Sequence, residues 1–79
     1  MTVIVPEQTH TELAGLYRRG LYLQAYRMAE EIAPLKEWTG ADRVMAARLA
    51  AHMGAPRLSL WHRLKSWREA PDHPEVKYY

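Results

Sequence analysis

The sequence predicts an all-α protein made of short antiparallel helical hairpins. Three observations carry that expectation. Apolar residues recur at helical spacing along most of the chain. Gly20 and Gly54, 34 positions apart, each close one such stretch and open another. No alternating strand pattern continues past the first five residues.

Residues 1–5 form an N-terminal arm, because Pro6 disfavours a helical conformation at Val5. A first helix follows to about Arg19. Pro6 suits a first helical position, Thr9-x-x-Glu12 reads as a capping box, and Leu13, Leu16 and Tyr17 supply the apolar face. A second helix runs from Leu21 to Ala33 and stops before Pro34. Its two adjoining stripes are Leu21, Ala25, Met28, Ile32 and Tyr22, Tyr26, Ala29, Ala33. Residues 34–38 read as a connector. A third, alanine-rich helix covers about residues 40–53, with Thr39-x-x-Asp42 as an acidic capping box. The fourth starts at Pro56 and reaches about Ala70, with Leu60, Trp61, Leu64 and Trp67 as its expected packing face. Asp72-x-x-Glu75 around Pro74 opens a fifth helix. Loops this short make consecutive helices antiparallel.

Composition narrows the function classes. Seventy-nine residues support one thin core. A hydrophobic share of 48% with 25% charged residues is that of a folded chain rather than a disordered one. With no cysteine there is no disulfide framework and no thiolate metal site, which suits a reducing, cytoplasmic setting. The net charge of +2 is too small by itself to argue for nucleic acid. The first ten residues lack the basic start of a signal peptide, and no segment approaches the roughly 18 apolar residues of a membrane span. No membrane association is expected. His10, His52, His62 and His73 include no i, i+4 pair for zinc, and no nucleophile elbow or phosphate loop occurs. The expectation is a non-enzyme with no catalytic residues, metal or cofactor.

The segment LAGLYRRGLYLQAYRMAEEIAP resembles the tetratricopeptide repeat family. Leu13, Ala14 and Tyr17 match its first helix, and Gly20, Tyr22 and Ala25 match its turn and second helix. A second unit, with Ala47, Ala50 and Gly54, is looser and lacks the first-helix aromatic. The resemblance covers roughly residues 6–79. It implies an α-solenoid of two repeats, about 6–38 and 39–73, plus the start of a third helix pair at 74–79. Three registers compete: 34 by the glycines, 37 by Pro34 and Pro71, and 35 by matching Ala25, Tyr26, Ala29 and Ile32 to Leu60, Trp61, Leu64 and Trp67. The third register is preferred because it buries the large apolar residues. What the family implies is a protein-binding scaffold whose concave groove is lined by the first helix of each pair. By position, that groove takes His10, Tyr17 and Arg18, then Val44, Arg48 and His52, then Tyr78. Arginines beside an aromatic suit a peptide bearing a carboxylate. Stacked repeats need neighbours, so the chain is expected to be a fragment of something longer, or to self-associate through its open C-terminal end.

A rival reading centres on residues 48–64. RLAAHMGAPRLSLWHRL resembles a DNA-binding helix-turn-helix, with Arg57, Ser59, His62 and Arg63 of the second helix facing the groove. The repeated hairpin upstream argues against it, and so against nucleic acid as the partner. A docking domain appended to an enzyme is a further alternative. The fourth helix interleaves Arg57, Arg63, Lys65 and Arg68 with its leucines and tryptophans. The expectation is a packing helix, with both tryptophans in the inter-repeat core and its basic face in solvent.

Overall fold

The computed structural model describes residues 4–77, and every regular element among them is helical. Helix α1 spans Glu7–Arg18, α2 Tyr22–Ile32, α3 Arg43–His52, α4 Pro56–Glu69 and α5 Pro74–Lys77. Between α2 and α3 lie two 3-10 turns, Leu35–Glu37 and Gly40–Asp42. The all-α expectation stands. Neither expected capping box is used: α1 starts from Pro6, whose carbonyl accepts from the His10 amide at 2.9 Å, and no side chain caps α1 or α3.

Both glycines do what their spacing predicts. Gly20 and Gly54 have φ of +77° and +80°, a conformation L side chains rarely adopt. At the end of α1, the Leu21 amide donates to the Leu16 carbonyl and the Gly20 amide to that of Tyr17, both at 3.0 Å. The pattern recurs 34 positions later, from Ala55 to Ala50 at 2.9 Å and from Gly54 to Ala51 at 3.4 Å. This paired bonding satisfies carbonyls that a helix end otherwise leaves open. Each glycine therefore closes one helix and reverses the chain. α1 packs with α2, α3 packs with α4, and α2 contacts α3. α1 and α3 lie side by side and run the same way. His10 meets Asp42 where they begin, and Tyr17 meets His52 where they end.

The core sits where α1, α2 and α3 converge. Leu13, Ala25, Ala29, Met45, Ala46 and Leu49 form it together with Leu35 and Trp38. Those last two come from the segment read as a connector, and Trp38 is wholly buried. Its indole Nε1 donates to the Ala33 carbonyl at 3.0 Å, which satisfies the one polar atom the ring takes inside. Leu35 and Trp38 of this segment thus plug the core.

α4 departs from expectation. The face read as its packing surface points outward: Leu60 is 56% exposed, Leu64 45%, Trp67 43% and Trp61 41%. His62 and Ser66 are buried instead, and only Leu58 of this helix joins the apolar core. The tryptophans expected in the inter-repeat core lie outside it. Buried Ala25 and Ala29 correspond to buried His62 and Ser66 at a spacing of 37, which is the proline register and not the preferred 35. Two causes fix this roll. Arg43 of α3 grips Glu69 and His62 of α4, and the alanines of α3 admit small inward residues such as Ser66 at close range. Ser66 satisfies its own hydroxyl by donating to the Arg63 carbonyl at 2.8 Å.

Candidate functional site

Arg43 is the hub between the two helices of the second hairpin and is itself buried. Its Nε and Nη2 donate to Glu69 Oε1 and Oε2 at 2.7 and 3.3 Å, and the Gly40 amide also donates to Oε1 at 3.1 Å. These bonds hold the Glu69 carboxyl below the usual carboxylate range. Arg43 Nη1 lies 3.1 Å from His62 Nδ1. Arginine only donates, so Nδ1 accepts and the ring proton sits on Nε2. That Nε2 is buried and makes no well-formed hydrogen bond among the described residues, although the Leu35 backbone is close enough to act on the ring. Burial pushes His62 down to about 4, against an opposing pull from the Leu35 backbone and with the Arg43 charge adding to it, so the ring is neutral at pH 7.

On the other side of α3, three of the expected groove residues do meet. The Tyr17 hydroxyl is 3.1 Å from His52 Nε2, and Arg48 lies 5.9 Å over the Tyr17 ring. Tyr22 of α2 stacks on His52 at 3.8 Å with the planes 9° apart, and meets Tyr17 edge-on at 5.2 Å. Sequence reading placed Tyr22 in an α2 stripe and in the repeat signature but not in the groove, since a contact 30 positions away leaves no local signal. The remaining groove residues scatter. Val44 is 1% exposed and offers a partner nothing, which corrects its assignment to the groove. Arg18 borders an open depression of about 510 Å3 with Glu12, Gly15, Leu16, Arg19 and Met28. His10 sits at the opposite end of α1, 3.6 Å from Asp42 and 3.7 Å from Glu75, tying α5 back to α1. Burial holds Asp42 above the usual carboxylate range, and His10 partly offsets this. Tyr78 lies outside the described residues.

The helix-turn-helix assignment fares differently from the groove. α3, a turn at 53–55 and α4 have its connectivity. Its four expected contact residues are not presented together: Arg57 and Arg63 are exposed, Ser59 is half-buried and His62 is fully buried. Sequence reading assigned His62 to a base-reading face, and the Arg43 contact takes it inside.

The outer face of α4 exposes several large apolar side chains. Leu60, Leu64 and Trp67 follow i, i+4, i+7, within about 60° of arc at about 100° per residue. Arg43 lies 4.8 Å over the Trp61 ring and Arg63 lies 5.1 Å over Trp67. These cations sit on the indole faces and fix their orientation. Among the described residues no helix is long and apolar enough to cross a membrane. Comparison of the chain with protein-family models, curated proteins and solved structures gives no match.

Proposed function

We propose that this chain is a protein–protein interaction module that presents the outer face of α4 to a partner. One observation carries the reading. Three large apolar side chains at i, i+4 and i+7 stand about half exposed, although the same helix turns a histidine and a serine inward. Helix-mediated recognition uses this spacing of anchors. A contiguous exposed apolar patch on a small domain marks an interaction surface.

In this reading the two hairpins are successive repeats of the tetratricopeptide type, acting as a scaffold in the cytoplasm. The side-by-side course of α1 and α3 and the repeated glycine turns support it. The partner surface moves from the expected concave groove to α4. Tyr17, Tyr22 and His52 already satisfy one another and act as a joint between α1, α2 and α3. DNA binding through the second hairpin is disfavoured, because leucines and a tryptophan occupy the centre of the face that a reading helix turns to base edges.

The test is Leu64→Asp. The variant keeps the parent circular dichroism spectrum, and its stability shifts by about 0.5 kcal/mol or less, as at any exposed site. Amide chemical-shift mapping with a bound partner places the largest changes on α4. Unfolding of Leu64→Asp, or shifts confined to α1 and α3, would overturn the assignment to α4.

A further inference from the structure

The exposed face of α4 carries charge of one sign. Arg57 and Arg68 flank the Leu60–Leu64–Trp67 line on one side and Arg63 on the other, each exposed. The one carboxylate of α4, Glu69, is held by Arg43 and the Gly40 amide. Arg57 and Arg68 form no salt bridge among the described residues. The helix therefore presents an apolar line bordered by Arg57 and Arg68, which meet no anion among the described residues.

This composition discriminates among occupants. A second copy pairing through α4 in antiparallel fashion sets Arg57 against Arg68, and the repulsion of like charges opposes it. An anionic bilayer also suits a basic helix, but three half-exposed side chains give it little apolar area to bury. Nucleic acid pairs with the arginines but leaves the apolar line desolvated for nothing. An amphipathic helix whose apolar residues are bordered by carboxylates satisfies both parts.

The geometry points to an acidic amphipathic helix as the partner of α4. Its apolar side chains lie along Leu60, Leu64 and Trp67 while aspartates or glutamates beside them reach Arg57 and Arg68. Arginine is suited to this role because its planar fork accepts a carboxylate in bidentate fashion. The inference rests on the protein-binding reading and adds the partner's chemistry to it.

The experiment uses the whole 79-residue chain and three synthetic helical peptides sharing one leucine spine, flanked by Glu, Gln or Lys. Binding is followed by tryptophan emission, since Trp61 and Trp67 lie on the face and Trp38 is sealed in the core. The Glu peptide binds about five-fold tighter than the Gln peptide, the gain expected from two exposed ion pairs, and the Lys peptide binds weakest. The gap narrows as salt rises. In the double variant Arg57→Glu, Arg68→Glu the order inverts and the Lys peptide becomes the better ligand. Leu64→Asp weakens all three.

Equal affinity for the Glu and Gln peptides overturns the acidic partner and leaves the protein-binding surface standing. Failure of every peptide overturns both. So does preferential binding to phosphatidylserine vesicles or duplex DNA, offered in parallel, because the occupant is then a lipid surface or a nucleic acid.

Discussion

His62 and Arg43 show how one pair of side chains can set the orientation of a helix. The buried imidazole accepts from Arg43 only while it is neutral. Protonation would put a donor at Nδ1 against a donor and a positive charge. Unfolded, the ring takes up its proton near 6.5; folded, it does so only near 4. Between those values the unfolded chain holds more protons, so folding stability falls as pH falls. The contribution of His62 is complete above pH 6.5 and gone below about pH 4. Its size is on the order of 3 kcal/mol. Urea titrations across that window should show the decline, and His62→Gln, which keeps an acceptor but does not titrate, should flatten it. An unchanged pH profile in His62→Gln would refute the role. Glu69 adds a loss further down, since its lowered pKa means that its pairing with Arg43 persists until stronger acid protonates it.

At the level of the helix, the two reversals and the roll of α4 had very different visibility in the sequence. The reversals are local. A positive φ is cheap for glycine and costly for other residues, so Gly20 and Gly54 announce their turns. A Cβ at Gly54 meets no atom within 4 Å, which isolates the backbone cost. Gly54→Ala should therefore lose about 1–2 kcal/mol, read as a lower denaturation midpoint with an unchanged m-value. No loss would mean that the turn relaxes freely. The roll of α4 depends on contacts 19 and 26 positions away, Arg43 with His62 and with Glu69. Hydrophobic periodicity favours burying leucine and tryptophan, and it ranks His62 and Ser66 as surface residues. The 37-residue spacing of Pro34 and Pro71 did hold the right register, because it counts back from the helix ends. Nothing local shows that this register outweighs the other two.

For the whole molecule, one ring plugs a thin core. Trp38 touches a cluster otherwise built from alanines, leucines and a methionine. Trp38→Ala leaves a cavity and should cost about 3–5 kcal/mol. A 79-residue chain has about 4–12 kcal/mol in total at about 0.05–0.15 per residue, so the variant should melt at much lower temperature or fail to fold. A modest shift in the thermal transition would show that the core lies elsewhere. Leu64→Asp, by contrast, should leave the transition in place. The two variants together separate the core that holds the fold from the surface available to a partner.

The sequence by itself determined the helical class, the number of hairpins and both chain reversals. Each follows from short-range chemistry: apolar spacing, proline limits and the left-handed freedom of glycine. Three of the expected groove residues, Tyr17, Arg48 and His52, were also legible as one group, because the expected order of antiparallel hairpins puts α1 beside α3. Tertiary structure decided which side of α4 faces water and sent Trp38 inside. It also buried Val44, which the sequence had assigned to a partner-facing groove. The physical reason is that a helix with polar and apolar residues around much of its circumference has no single preferred roll. Here the buried Arg43–His62–Glu69 contacts and the small side chains between α3 and α4 chose it, and in doing so turned Leu60, Leu64 and Trp67 outward.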